Sequence, residues 1–489
     1  MKLSSLVHAA RSVSLPLSIE LEDADSLTVE HLFRVLPNRR YVGKANWQEQ
    51  VVLAKLFVGS NAKKHYLREL QGVNLLAQQQ INTPKLLAHG ISEEGGYLLF
   101  DYLEDSQTLD HQWKHLACTP SQLSIKQYTI LQQAISAIAV LHLKGLWQAD
   151  LHLDNLLLKD NSIYWIDGDS ISVEELGKPL SKEKVMSNLA VFFAQLSQDT
   201  DNMLADCLDF YQQCNSTVTL SLNDLYKAIN RVRQWRAHDM LKKIRRDCTL
   251  FSVKNTLNGF YGVVRQKEAD LAPLLANPDQ FIDRGRFIKG FGTTNVVDTQ
   301  INGLHVVLKR YNIKSFKHRL SRFWRPTRGW HSWREGFRLI MLGIPTAKPL
   351  ALIEERWQGM RGKAWLITEF LEGPDLLTHL KPYEATEIPS TELKAIVNLF
   401  DRLIAQRITH GDLKGTNLFW VNQQWVLIDL DAVKQHKSNC SFKRAYAKDR
   451  ARFLRNWPKG SALYTQLDQS LPKVDLVIDY IHTLNGVKN

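Results

Sequence analysis

His410-Gly411-Asp412-Leu413-Lys414-Gly415-Thr416-Asn417 decides the fold, because a counterpart stands earlier in the same chain as Gln148-Ala149-Asp150-Leu151-His152-Leu153-Asp154-Asn155. Each stretch sets an aspartate five residues before an asparagine. Each runs on into an apolar strand that ends Ile-Asp-x-Asp: Ile166-Asp167-Gly168-Asp169, then Ile428-Asp429-Leu430-Asp431. The polar landmarks keep one offset, since 412 − 150, 417 − 155 and 429 − 167 all equal 262. Equal spacing of polar, position-sensitive residues marks an internal repeat.

The repeat extends upstream with looser spacing. Val51–Phe57 and Val306–Tyr311 are β-rich runs that each embed one lysine, Lys55 and Lys309. A helical segment follows with a glutamate in each copy, Glu69 and Glu335. Apolar strands at Leu98–Leu103 and Leu366–Leu371 come next, then periodic apolar helices over Ile130–Leu143 and Leu393–Ile404. Asn302-Gly303 between two apolar runs predicts a type I′ hairpin that puts Lys309 on the returning strand. The expected class is α+β, with two tandem domains, each a β-rich N-terminal lobe and a helical C-terminal lobe. Polar residues from Gln266 to Asp270 and the breaker Asn277-Pro278-Asp279 place the divide between 1–268 and 269–489. On that reading Val185–Val264 is the helical tail of the first domain.

These residue types suit phosphoryl transfer from ATP, which needs the triphosphate held, its charge neutralised and the acceptor positioned. Lys55 with Glu69, and Lys309 with Glu335, fit a strand lysine gripping phosphate oxygens and steered by a helix glutamate. Asp150 and Asp412 fit the loop aspartate that orients an incoming hydroxyl and accepts its proton. Asn155 with Asp167, and Asn417 with Asp429, offer the hard oxygen ligands that Mg²⁺ prefers. Asp169 and Asp431 stay open between supporting the metal and ending the turn. A phosphate-covering loop is legible only in the second half, at Lys289-Gly290-Phe291-Gly292, where Gly290 and Gly292 let backbone amides approach phosphate. The matching stretch of the first half, Leu36-Pro37-Asn38-Arg39-Arg40-Tyr41, has no glycine, and Arg39 or Arg40 is the substitute donor there. No G-x-x-x-x-G-K-[ST] occurs, which argues against a P-loop NTPase. His142 and His410 read as structural braces of their loops.

The formal charge of +12 favours an anionic partner. One basic cluster runs from Arg231 to Arg246; another, from Lys309 to Arg328, interleaves Phe316, Phe323 and Trp324 as a membrane-surface segment does. The five cysteines, Cys118, Cys207, Cys214, Cys248 and Cys440, form no CxxC pair and fit reduced thiols. No sustained apolar run precedes Arg11, and the longest apolar segment, Ala134–Leu143, is far short of the roughly 20 residues a spanning helix needs. The expected location is cytoplasmic, peripheral at the cytoplasmic face of an inner membrane.

With these residues in view, both halves resemble the protein-kinase-like superfamily and, within it, the bacterial lipopolysaccharide core kinases (the Kdo and heptose kinases of the WaaP type). The likeness rests on the 410–417 stretch with Ile428-Asp429-Leu430-Asp431, on Lys309-Arg310-Tyr311-Asn312, on Ser332-Trp333-Arg334, and on Asp449 with Arg452-Phe453-Leu454-Arg455-Asn456-Trp457. The resemblance implies a two-lobed kinase fold in each half, ATP with Mg²⁺, and a sugar hydroxyl of the lipopolysaccharide inner core as acceptor. It implies no nucleic-acid partner. The first half departs from the pattern at Gln148, where the second half has His410, and at His152, where it has Lys414.

Overall fold

The computed structural model describes residues 2–7, 13–21, 26–116, 125–289, 294–312 and 326–474. The fold class is α+β. The chain divides into two compact units, Met1–Val232 and Arg233–Asn489. The division falls inside the helix Leu222–Lys243 rather than at 268/269. Sheet pairing is the reason. Phe251–Asn255 and Gly259–Val264, read from sequence as part of a helical tail, are strands, and Gly259–Val264 pairs antiparallel with Pro349–Trp357 of the second unit.

In the first unit a six-stranded antiparallel sheet runs in the order Leu17–Glu20, Ser26–Leu36, Arg40–Trp47, Gln50–Phe57, Gly95–Asp101, Leu86–Ser92. The helix Ala62–Gln78 buries Ala62, Tyr66, Glu69, Val73 and Leu76, a stripe stepping by four and three residues along one face. Glu69 interrupts that apolar stripe, and a buried carboxylate demands a charged partner. The helical part gathers Ile125–Leu143, Lys182–Phe193 and Leu204–Cys214 around a core that includes Ile135, Ile138, Leu151, Leu189 and Tyr211. Fully burying each aliphatic side chain of that kind contributes about 1.5–3 kcal/mol before entropy is counted.

The second unit has a seven-stranded sheet in the order Phe251–Asn255, Gly259–Val264, Pro349–Trp357, Met360–Glu369, Leu304–Tyr311, Thr294–Ile301, Arg286–Lys289. Asn302 and Gly303 both take positive φ (47° and 78°), as the expected type I′ turn requires, and Lys309 lies on the returning strand. The helix Arg328–Met341 starts on a Thr327 cap, whose side chain accepts from the Trp330 amide, and buries Trp330 and Trp333 in the core. Helices Ser390–Ala405, Asn439–Leu454 and Ala462–Ser470 complete the unit around Phe400, Phe453 and Trp425. Gly290 and Gly292 lie outside the described residues, as do Cys118 and most of the aromatic basic cluster (Lys314, Phe316, Lys317, Arg319, Arg322, Phe323, Trp324, Arg325).

Candidate active sites

The same short-range frame recurs in each unit. Asn155 donates from Nδ2 to the Asp150 carbonyl at 2.9 Å, and Asn417 donates from Nδ2 to the Asp412 carbonyl at 2.9 Å. The Ile166 amide reaches the Asn155 carbonyl at 3.2 Å; the Ile428 amide reaches that of Asn417 at 3.0 Å. Thr83 Oγ1 donates to the Trp165 carbonyl at 2.9 Å, and Thr346 Oγ1 to the Leu427 carbonyl at 2.8 Å. Left-handed pairs stand at Asp160–Asn161 and at Asn422–Gln423, tight turns again 262 residues apart. Asparagine and aspartate tolerate that conformation better than most side chains. With the amide nitrogen of Asn155 or Asn417 so fixed, the amide oxygen is the acceptor that the side chain has left to offer.

In the first unit Lys55 and Glu69 meet as expected, Nζ to Oε1 at 2.5 Å, and Nζ also donates to the Ile166 carbonyl at 2.7 Å. Glu69 is fully buried and also accepts the amides of Gly168 (3.0 Å) and Asp169 (3.2 Å). Arg40 joins this cluster. Its Nη1 donates to Glu69 Oε2 at 3.3 Å and lies 3.8 Å from Asp167 Oδ1. Burial opposes ionisation of Asp167, but Lys55 and then Arg40 outweigh it and hold the carboxyl below its ordinary value. Asp150 is exposed, with His152 Nε2 3.7 Å away. Asp169 is held by Arg68, Nε to Oδ1 at 3.1 Å.

The second unit corrects one expectation: Lys309 does not pair with Glu335. Its Nζ donates to Asp429 Oδ1 at 2.7 Å and to Asp431 Oδ2 at 3.2 Å. Glu335 is buried against Arg334 (2.7 Å) and Arg338 (3.3 Å) instead. Asp431, left open from sequence, is the hub. It accepts from Tyr311 Oη (2.7 Å), Ser332 Oγ (2.6 Å) and Arg328 Nη2 (2.5 Å) as well. Burial opposes the charge on Lys309, yet Tyr311, Asp431 and Asp429 keep its pKa above the ordinary lysine value.

Two residue differences accompany the divergence. Three positions after the helix glutamate stands Gly72 in one unit and Arg338 in the other; after the strand-end aspartate stands Gly168 or Leu430. A Cβ on Gly72 would sit 1.9 Å from the Gly168 carbonyl oxygen, so helix and loop backbones touch there. In the second unit side chains occupy both places, and Leu430 Cδ1 lies 3.5 Å from where a Cβ on Gly336 would be. There the helix meets the loop through Ser332, which donates to Asp431, while Glu335 is engaged by Arg334 and Arg338. Gly72→Ala should therefore part Glu69 from Lys55 and lower the stability of the first unit by about 1–3 kcal/mol, the usual range for overpacking. Chemical denaturation of the full chain checks this, and an unchanged midpoint would contradict the close packing.

The aspartate loops are braced from below. Asp449, on Asn439–Leu454, accepts the amides of His410 (2.6 Å) and Gly411 (3.0 Å). His410 is buried, donates from Nε2 to the Ile428 carbonyl at 2.9 Å, and accepts the Asp412 amide on Nδ1 at 3.4 Å. In the first unit Asn188 Nδ2 donates to the Gln148 carbonyl at 2.7 Å, while its Oδ1 meets His142 Nε2 at 3.0 Å. Burial lowers the His142 pKa to about 4, so it is neutral at pH 7 and serves as a brace. Asp449 and Arg452 entered the sequence reading only as part of a likeness. Arg452 donates from Nη1 to Asp412 Oδ1, and Lys414 Nζ stands 3.5 Å from Oδ2.

Burial raises the Asp412 pKa, but Arg452 and Lys414 outweigh it, and the carboxyl lies below its usual value. A depressed carboxyl stays ionised as pH falls until its lowered pKa is crossed. A pH profile of kcat should then show no acid limb from Asp412 above about pH 4. Arg452→Ala removes the largest stabiliser of the anion and should move that limb upward. An acid limb that stays in place would sink the assignment.

Among the described residues no group of three or more His, Cys, Asp or Glu side chains is placed to hold a metal ion. Magnesium bound with a nucleotide needs fewer protein ligands, because phosphates and waters complete its shell. The second unit fits that arrangement. Asp429 is part-exposed and sits in the left-handed region (φ 60°, ψ 61°), a conformation costing about 1–3 kcal/mol in most residues and concentrated at ligand sites. The first unit fits less well, because Arg40 stands beside Asp167 in addition to the charge of the strand lysine.

Among the described residues no helix is long and apolar enough to cross a membrane. No curated protein matches the chain. Among solved structures it is similar to WaaP in complex with acyl carrier protein, at 12% identity over 43% of this chain and 88% of that one, with a TM-score of 0.30. It is similar to vaccinia related kinase 3 at 11% identity, over 47% and 80% of the two chains, with a TM-score of 0.28. Residues 284–467, which carry Lys309, Asp412, Asn417, Asp429, Asp431 and Asp449, match the lipopolysaccharide kinase (Kdo/WaaP) family.

Proposed function

We propose that the chain is an ATP-dependent kinase that phosphorylates a sugar hydroxyl, of heptose or Kdo, in the lipopolysaccharide inner core, and that the second unit performs the transfer. The observation that carries the reading is Asp412, held ionised by Arg452 and Lys414 on a loop anchored by Asp449, inside the stretch that matches a lipopolysaccharide kinase family. Asp412 orients the acceptor hydroxyl and takes its proton as the new P–O bond forms and the bond to the departing ADP breaks. Lys309 supplies positive charge to phosphate oxygens, and Asp431 with Tyr311 fixes where that charge stands. Asn417 and Asp429 would hold Mg²⁺, which neutralises charge on the transferring phosphoryl group. The net positive charge suits an anionic acceptor at a membrane surface.

The first unit, on this reading, is a kinase-like nucleotide-holding module of the same descent. A second reading, that it too transfers phosphate, is favoured by Asp150, which is exposed on the same Asn155-tied loop as its counterpart Asp412. Asp150→Ala decides between the two, because only a second working site would lose a distinct core phosphate. The primary test is transfer of labelled phosphate from ATP to isolated core lipopolysaccharide by the full chain. Label in the core sugar fraction is expected, and label found solely on added protein would overturn the substrate class.

A further inference from the structure

Arg40 stands beside the strand-end aspartate of the first unit, between Glu69 and Asp167. It is 7% exposed, on the strand that follows the glycine-free turn at Pro37–Arg39, in register with Phe57 two residues beyond Lys55. Its Nη1 bridges Glu69 Oε2 and Asp167 Oδ1, at 3.3 and 3.8 Å. Its Nε is buried with no hydrogen-bond partner, and so is Asp167 Oδ1. A buried guanidinium with an unused N–H is incomplete without an acceptor oxygen. A phosphate oxygen is an acceptor that guanidinium geometry matches well.

A third positive centre beside Asp167 would be repelled by the Arg40 and Lys55 charges already facing that carboxylate. Among the described residues the second unit has no such arginine at its strand-end aspartate: Asp429 is part-exposed and meets one cation, Lys309, at 2.7 Å. We infer that the first unit binds a nucleoside triphosphate without a divalent cation, with Arg40 and Lys55 together supplying the charge that the metal supplies elsewhere. This rests on reading the first unit as a nucleotide site. It also replaces the sequence expectation that Asn155 and Asp167 hold Mg²⁺.

The test is ATP binding to the full chain by equilibrium dialysis, with Mg²⁺ or with EDTA, in a Lys309→Met background that disables the second site. One ATP per chain is expected in both conditions, with affinities equal within about threefold, a difference below 1 kcal/mol. Arg40→Gln should weaken binding in EDTA by at least about tenfold, and Mg²⁺ should then restore part of it, because Asp167 has lost a competing cation. A purely structural role for Arg40 would not create that metal dependence. If the Lys309→Met chain binds ATP with Mg²⁺ and loses it in EDTA, the inference fails while the nucleotide-site reading stands. If it binds ATP in neither condition, both fall.

Discussion

Replacing Asp412 with alanine should lower kcat for core phosphorylation by roughly 10²–10⁴-fold, the range associated with a positioned general base. KM for ATP should change little, because the carboxylate is engaged by Arg452 and Lys414 rather than by Lys309. Loss confined to kcat separates a role in the transition state from a role in binding. The fold should tolerate the change. Asp412 is partly exposed, its ion pairs are solvent-screened, and such pairs contribute about 0–1 kcal/mol. The anchoring bonds of the loop run to the amides of His410 and Gly411, and these survive the substitution. Steady-state kinetics with ATP varied at saturating core acceptor checks the split. A rise in KM for ATP matching the fall in kcat/KM, with kcat intact, would remove Asp412 from the chemical step.

Asp431→Ala should do a different kind of damage. Removing one member of a buried charged cluster costs about 3–5 kcal/mol, because the partners left behind keep their desolvation penalty. Here those partners are Lys309, Tyr311 and Ser332, with Arg328 at the rim. Lys309 would then keep Asp429 as its remaining carboxylate partner and lose the second contact that fixes its position. KM for ATP should rise roughly tenfold or more, as the loss of a charged hydrogen bond of about 1.5–3 kcal/mol implies. Asp431→Asn keeps acceptor oxygen for Tyr311 and Ser332 but loses the charge, so stability should recover more than ATP affinity does. Glu335→Gln is the control. Its partners are Arg334 and Arg338, so KM for ATP should stay unchanged, and a tenfold rise there would restore the helix glutamate to the nucleotide site.

The recurring aspartate–asparagine loops are legible in the sequence because their polar landmarks sit on short local structure. An aspartate and an asparagine five apart on one tight loop can close the same side-chain bond wherever the backbone is the same. The strand lysines, the Asn302-Gly303 turn and the helices before each loop were legible for similar reasons. Each depends on residues close in sequence. What escaped the reading depends on distant pairings. Glu335 has the right order and residue type, but its pairing with Arg334 and Arg338 rather than Lys309 is settled by tertiary packing. Asp431 was visible as the second acid of Ile-Asp-x-Asp, yet nothing local says that Tyr311 and Ser332 converge on it from a strand and a helix. Arg40 was singled out only as a substitute donor in a glycine-free turn, and its place between Glu69 and Asp167 follows from strand register. The unit boundary was misplaced because Phe251–Asn255 and Gly259–Val264 declare their sheet only once Pro349–Trp357 is beside them.

The two strand lysines are paired unequally. The first unit has its lysine on a helix glutamate and an arginine between that glutamate and Asp167. The second keeps its lysine on two acidic groups at the strand end, one of them part-exposed.

The most direct test of the central claim is mass spectrometry of core oligosaccharide from cells whose only copy of this protein carries Asp412→Ala. The account predicts core sugar lacking one phosphate that the wild-type protein restores. A core phosphate pattern identical to wild type would contradict it.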